Sequence, residues 1–296
     1  ASTGEPPSEP PTSPTTLARI LALVPNASLA GPFNTVRVCD LLSNSEARCG
    51  VDINPDNETY KYIHEFSNRN VLLKSQEDNT IRLFNGTDLV NVEQRKKVTY
   101  SSGDLKETDD SQALNSSEIT EKETIKTENF VIIRDSDEIV NHVVTSSGKY
   151  VDFTDSSLSA PSLLYAGSEY VALNVVGDDD DDYNFLVIVK KDGNVRKEKF
   201  PGTTPWSLLA RDGDNIVVAP KANNSQVVVV KEDGSIDKIG DANLALNATG
   251  VSAQIKKVGT DLFVAVNSNN TTGSNTGMIR YAKVGVAYAD IDVSSE

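Results

Sequence analysis

The side chains best suited to chemistry are few in this sequence, and histidine is the scarcest of them. Nucleophilic catalysis pairs a serine or cysteine with a base, which is usually histidine. The chain has two histidines, His64 and His142, and both lie in or beside predicted strands. It contains no Gly-x-Ser-x-Gly elbow, and the histidines lack the spacing of a metal-binding pair. We therefore interpret both as structural, predict no catalytic residue, and expect the chain not to be an enzyme.

Five consecutive aspartates, Asp178–Asp182, form the densest run of charge. Calcium takes six to eight oxygen ligands in flexible geometry, so Asp178, Asp180 and Asp182 are candidate ligands. The alternative is a solvated loop whose charge discourages association between sheet edges. No EF-hand spacing accompanies the run. Calcium is thus the one cofactor with a candidate site, and otherwise none is expected.

The two cysteines, Cys39 and Cys49, predict a disulfide. They occupy the far ends of two strand-like runs, Thr35–Cys39 and Ala47–Ile53, and Asp40–Glu46 lies between these runs. Cysteines that face each other across a hairpin reach disulfide distance. A disulfide indicates an oxidising compartment. The alternative is a pair of free thiols in the core.

Asn-x-Ser/Thr sequons are frequent, and most of them fall in predicted turns. A chain this rich in Asn, Ser and Thr forms about half as many by chance, which is a rough composition estimate for the pattern. The sequons make the chain a candidate glycoprotein. The candidate positions are Asn26, Asn57, Asn85, Asn115, Asn223, Asn247, Asn269 and Asn270.

The net charge and the first residue of the chain limit the expected partners and the expected cellular location. The 296 residues carry a formal net charge of −15, which repels nucleic-acid phosphates and anionic lipid surfaces. No apolar run approaches the length of a membrane-spanning helix. The chain begins at Ala1 and its only methionine is Met278, so we expect removal of a signal peptide, with a cloned fragment as the alternative. The expected location is extracellular, at the cell surface or periplasmic.

Residues 1–16 differ in composition from the rest of the chain. They read ASTGEPPSEPPTSPTT, with five prolines and almost no apolar side chains. Such a segment does not bury enough surface to fold and favours extended polyproline conformations. We interpret it as a disordered or docking tail, which either tethers the domain or lies along a neighbouring subunit.

The remainder, residues 17–296, contains a repeat of short strands. Three units begin at Glu169, Asn215 and Asp261, which are roughly 46 residues apart. In each unit a strand, a loop, a strand, a tight turn and a strand follow one another, and a further apolar run precedes them. The tight turns carry Asp-Gly or Gly, which favours hairpins. The preceding runs are Ser162–Tyr165, Trp206–Ala210 and Val251–Ile255.

Weaker copies of the unit precede these three. One contains Asn70–Leu73, Ile81–Phe84 and Asp88–Val92, and the other contains Asn129–Ile133, Ile139–Val144 and Lys149–Phe153. Between them, Val98–Glu128 is rich in polar residues, and we interpret it as a polar insertion or mobile loop.

Four short strands recurring every 40–46 residues resemble a blade of the β-propeller superfamily. The segment Asp212–Gly240 looks like a generic blade, and the resemblance covers about Tyr60 to Glu296. It implies an all-β propeller of about six four-stranded blades, the sixth from Thr35–Tyr62. The ring would close by pairing Leu17–Val24 with the last blade near Val286–Val293.

Two tandem β-sandwich domains, divided within Val98–Glu128, are the alternative fold. The Trp-Asp ending and the double glycine of two propeller classes are absent, so the resemblance names no specific family. We expect the one tryptophan, Trp206, to pack between blades.

The expected function is that of an exported or cell-surface interaction and structural module without enzymatic activity. A protein partner or self-assembly is expected, and a subunit of an extracellular surface assembly is the specific form. Propellers as a class serve mainly as binding scaffolds, so the fold does not by itself define the function. The alternatives are an exported polysaccharide-active hydrolase or lyase with carboxylates at the channel mouth, and a periplasmic scaffold.

Overall fold

The computed structural model describes residues 18–25, 34–43, 46–49, 60–75, 77–114, 124–177, 183–201, 205–220, 227–239, 252–268, 278–286 and 289–292. These residues form 25 strands and no helix, so the prediction of an all-β chain is confirmed. The strands belong to six sheets. The tail, residues 1–16, lies outside the described residues.

The six sheets follow one another along the chain, and each is built from consecutive strands. Sheet I contains β1 (Ala18–Pro25), β2 (Asn34–Ser43) and β3 (Glu46–Cys49). Sheet II contains β4 (Tyr60–Glu65), β5 (Val71–Ser75), β6 (Ile81–Phe84) and β7 (Leu89–Asn91). Sheet III contains β8 (Glu93–Ser101), β9 (Asp104–Thr108), β10 (Thr124–Lys126), β11 (Phe130–Arg134), β12 (Val140–Thr145) and β13 (Lys149–Asp152).

The last three sheets each have four strands. Sheet IV contains β14 (Leu158–Ala166), β15 (Tyr170–Gly177), β16 (Tyr183–Lys190) and β17 (Val195–Pro201). Sheet V contains β18 (Trp206–Asp212), β19 (Asn215–Pro220), β20 (Val227–Val230) and β21 (Ile236–Ile239). Sheet VI contains β22 (Ser252–Val258), β23 (Asp261–Ser268), β24 (Met278–Lys283) and β25 (Ala289–Asp292). In sheets II, IV, V and VI every strand pairs antiparallel with the next one along the chain.

The middle strands are buried on both faces, which explains their long hydrophobic runs. All five side chains of β11 and all four of β20 are buried. A strand with one solvated face would instead alternate apolar and polar residues. Sheets III and V must therefore be covered on both sides.

Clusters of buried side chains fill the space between consecutive sheets. Leu72 and Ile133 belong to the cluster between sheets II and III, and Phe130 and Phe185 to the one between sheets III and IV. Two further clusters lie between sheets IV and V and between sheets V and VI. Sheet I lies beside sheet II through a contact of β2 with β4. The core is thus a series of layers in chain order.

The hairpin β8–β9 corrects one expectation from the sequence. Residues 98–108 were expected in a polar insertion or mobile loop, but they lie in this hairpin, so the loop interpretation is wrong there. β8 pairs parallel with β13 and extends sheet III to six strands. Lys197 and Lys199 of β17 donate hydrogen bonds to backbone oxygens of the hairpin. These bonds attach the polar strands β8 and β9 to sheet IV.

The first strand also departs from expectation. β1 pairs with β2 from Ala18 opposite Leu41 to Pro25 opposite Asn34. Among the described residues β1 has no other partner strand, and β25 pairs with β24. The expected pairing of 17–24 with 286–293 is therefore not formed in the part of the chain described, and β1 belongs to sheet I.

A glycine in the last turn of sheet III tests how closely the layers fit. Gly148 has φ +79°, and a Cβ there would lie 3.0 Å from Leu83 Cδ2 of sheet II. Gly148→Ala combines a left-handed backbone, which costs about 1–2 kcal/mol, with displacement of that leucine. We expect a larger loss of unfolding free energy, measured by urea denaturation, than for the matched Gly86→Ala. Gly86 has φ +89° with nothing within 4 Å, so equal losses in the two variants would contradict tight packing between sheets.

Candidate functional site

Most residues that the sequence singled out lie in segments outside the described residues. These are the aspartates Asp178, Asp180 and Asp182, and the sequons at Asn26, Asn57, Asn115, Asn223, Asn247, Asn269 and Asn270. The calcium prediction is therefore untested. Among the residues that the structure describes, no three His, Cys, Asp or Glu side chains form a group that would hold a metal ion.

Asn85 is the one candidate sequon among the described residues. It is exposed in the turn after β6. Its Oδ1 accepts hydrogen bonds from the backbone N–H groups of Thr87 at 2.9 Å and Asp88 at 2.7 Å. The side chain therefore closes the turn, and glycosylation of Asn85 stays a prediction.

The two cysteines are directly opposite each other in the register of β2 and β3. Cys39 pairs with Cys49, and the Cys39 side chain is buried. This register supports the predicted disulfide, because paired residues of neighbouring antiparallel strands have Cα atoms about 4.5–5.5 Å apart.

Both histidines make contacts within and between the sheets. His64 Nε2 donates to the backbone oxygen of Thr127 at 2.8 Å, which joins sheet II to sheet III. His142 is buried in sheet III, its ring lies edge-on to Tyr150 at 5.6 Å, and its Nδ1 is 3.6 Å from Asp152.

A polar network at one end of the sheets was not anticipated. We call this the turn end: it is where the first strands of sheets II, IV, V and VI turn into the second strands, and where β10 turns into β11 in sheet III. Its residues are 66–70, 127–129, 167–169, 213–214 and 259–260. Because the strands run up and down, the turns between third and fourth strands lie at the same end. The turn end therefore collects two turns from each of these sheets.

Asp214 is the most heavily bonded carboxylate of the turn end. Its Oδ2 accepts from the backbone N–H of Ser168 at 3.0 Å, the Ser168 hydroxyl at 2.6 Å and the backbone N–H of Glu169 at 3.0 Å. Its Oδ1 accepts from the Tyr165 hydroxyl at 2.8 Å. One side chain of sheet V thus fixes the first turn of sheet IV.

Burial and hydrogen bonding act in opposite directions on this cluster. Desolvation raises the pKa of Asp214, but the bonds from Ser168, Tyr165 and Glu169 outweigh it and hold the pKa below its usual value. Burial, followed by the hydrogen bond to Asp214 and the charge of that carboxylate, raises the pKa of Tyr165 to about 12. Burial also raises the pKa of Tyr170, whose hydroxyl donates to the Asp214 backbone oxygen at 2.6 Å. The cluster therefore holds a carboxylate between two neutral phenols.

Equivalent bonds join the other neighbouring sheets at the turn end. The backbone N–H of Ser67 donates to Glu128 O at 2.8 Å, between sheets II and III. Asn129 Nδ2 donates to Ser168 O at 2.6 Å, between sheets III and IV. The backbone N–H of Lys257 donates to Asp212 Oδ2 at 2.7 Å, between sheets V and VI. The sequence indicated only turns at these positions, because a turn aspartate has the same local pattern whether or not it contacts a neighbouring sheet.

A groove of about 630 Å³ lies between sheets V and VI. Its floor is mostly apolar, and the Phe263 side chain is 42% exposed. Arg211 and Lys256 add two cations to the lining, and the Lys256 ammonium is 3.6 Å from Asp212 Oδ2. The lining residues are Leu209, Ala210, Arg211, Ala253, Gln254, Ile255, Lys256, Phe263, Val264 and Ala265.

Trp206 is not part of this groove. It is 3% exposed within the cluster between sheets IV and V, with its ring 4.3 Å from that of Phe200. It therefore packs between neighbouring sheets, which is the coarser part of the prediction that it packs between blades.

Comparison with known proteins adds no relative. No protein-family model matches the sequence, and no curated protein matches it either. The described residues include no helix of a length and hydrophobicity that would cross a membrane. Any function must therefore be argued from the arrangement of this chain's own residues.

Replacing Asp214 tests the bond between sheets IV and V. Asp214→Asn removes the charge and turns an amide NH₂ toward donors, so we expect a loss of about 2–3 kcal/mol of unfolding free energy at pH 7. Because the folded pKa is lowered, the carboxylate stabilises the fold above the unfolded value of about 3.9 and stops doing so as pH falls through the folded pKa. The difference between the two proteins should shrink below about pH 4 in urea denaturation.

The matched control for this change is Asp192→Asn. The Asp192 carboxylate accepts from the backbone and side chain of Asn194 within its own turn, at 2.9 and 2.8 Å. A loss for Asp192→Asn as large as that for Asp214→Asn would show that the contact between sheets is not the cause.

The disulfide prediction is tested by peptide mapping without reductant. We expect a linked peptide containing Cys39 and Cys49, and a fall of about 2–3 kcal/mol in unfolding free energy on reduction. The double variant Cys39→Ala/Cys49→Ala serves as the control and should not respond to reductant. Complete alkylation of both thiols in the unfolded, unreduced protein would disprove the bond.

Proposed function

We propose that this chain is an exported, non-enzymatic interaction and structural module that acts as a subunit of an extracellular surface assembly. The observation that carries the proposal is the polar network of the turn end. There Asp214, Ser168 and Asn129 are used to fix one sheet to the next. A chain whose polar turn groups bind its own sheets is suited to rigid presentation of a surface.

The architecture we infer for this module is a β-propeller with the sheets as blades. In a pair of sandwich domains each sheet would be covered on one face only. Sheets III, IV and V instead have buried clusters on both sides. The first strands of sheets IV, V and VI also contact one another, β14 with β18 and β18 with β22, as the inner strands of neighbouring blades do. These two features support blades around an axis.

Location outside the cytoplasm is supported by two features of the chain. The register that sets Cys39 opposite Cys49 suits a disulfide, which persists in oxidising compartments. Asn85 is exposed within the sequon Asn-Gly-Thr, on the surface where a glycan is tolerated. The acidic charge of −15 favours solubility at high local concentration.

Imaging and fractionation of the organism that makes this protein test the proposal together. We expect the chain in the cell-surface fraction, in sedimenting assemblies whose electron micrographs contain ring-shaped subunits. A cytoplasmic enzyme from the same organism serves as the fractionation control. Recovery of the chain in the cytoplasm, or outside the cell as isolated monomers alone, would refute the surface-assembly role.

A further inference from the structure

The groove between sheets V and VI combines an apolar floor with cationic side chains. Its apolar floor includes Ile255 and Ala265, and Phe263 adds an accessible aromatic ring. Arg211 and Lys256 add cationic groups, and Lys256 has a side chain 75% exposed. Its preferred occupant is therefore an extended segment with apolar rings and carboxylates.

Residues 1–16 of the chain have this composition. The segment Gly4–Pro11 reads GEPPSEPP, with Glu5 and Glu9 each followed by two prolines. Proline has no N–H to donate, so the segment is poorly suited to pairing with a sheet edge such as β1. Polyproline segments dock instead in grooves lined by aromatic side chains, at little conformational cost.

We propose that this groove binds the proline-rich tail, residues 1–16, of a second copy of the chain. The inference rests on the proposed role as an assembly subunit and names its contact. A polyproline segment of 16 residues spans roughly 50 Å, at about 3.1 Å per residue. The contact is head to tail, so the same pair of surfaces serves each successive copy.

Complementary charge supplies the attraction that two acidic copies need. Two chains of charge −15 repel each other, so association requires a local contact between opposite charges. Near the groove, Lys256 pairs with Asp212 and Lys257 pairs with Glu232. Arg211 also lines the groove, so these five groups sum to one net positive charge. The tail supplies two carboxylates, Glu5 and Glu9, and no cationic side chain. The tail and the groove therefore carry charges of opposite sign.

A charge exchange in the full chain tests this contact by sedimentation velocity over a range of concentrations. The wild type should associate as concentration rises. Arg211→Glu with Lys256→Glu should weaken association at least tenfold, and Glu5→Arg with Glu9→Arg should do the same. Combining all four changes should restore association. Arg69→Glu is the matched control, because Arg69 is an exposed arginine of the turn end in sheet II, with a side chain 86% exposed, and should have no effect.

Phe263→Ala tests the apolar part of the groove. It should also weaken association. Its thermal unfolding midpoint should stay within a few degrees of that of the wild type. Association that none of these changes alters would overturn the tail–groove contact and leave the surface-assembly role standing. A wild type that stays monomeric while added peptide of residues 1–16 binds only the tail-charge variant would show docking within one chain, and would also overturn it. The location of the native protein is measured separately, so failure of the proposed function is distinguishable from either result.

Discussion

The structure depends on one constraint: its middle strands are buried on both faces, so each of these sheets needs a neighbouring sheet on both sides. Val227–Val230 and Phe130–Arg134 are buried throughout, so neither strand tolerates an open face. A four-stranded sheet of this kind is unstable alone and becomes stable when its neighbours supply both covers. The clusters between consecutive sheets meet this demand. The polar network of the turn end then fixes the angle and register at which the layers meet, since a hydrogen bond is directional and apolar contact is not.

Much of the fold was predictable from sequence because the two patterns that predict strands and hairpins are local. Valine-rich runs such as Val227–Val230 locate buried strands, and Asp-Gly before Ser235 or Asn194 locates the hairpins. The β8–β9 hairpin was missed because polar or charged residues occupy most positions of its strands, and their support comes from Lys197 and Lys199 on a distant strand. The periodicity of apolar residues within a segment does not reveal a stabilising contact with a strand far away in the sequence. The pairing of β1 was missed for a different reason. An apolar run predicts a strand but does not specify which strand it pairs with.

The candidate site was less predictable than the fold. Asp214 lies in the sequence Asp-Gly-Asp-Asn, which is typical of turns in general. Its partners Ser168 and Glu169 lie more than forty residues earlier. The groove likewise depends on the meeting of Leu209 and Phe263 from different sheets. The composition of the tail was visible from the start, but a complementary surface is a property of packed layers. Sequence therefore identified one side of the inferred contact, and the structure supplied the other.

The chain-order stacking of the sheets has a consequence for how the molecule is made. The extensive contacts between strands of different sheets join consecutive sheets, so each layer finds its cover within about one repeat of the sequence. Local contacts of this kind close short loops and favour fast folding. A chain that emerges from the ribosome N-terminus first can then build its core one layer at a time, with each completed sheet covering one face of the next.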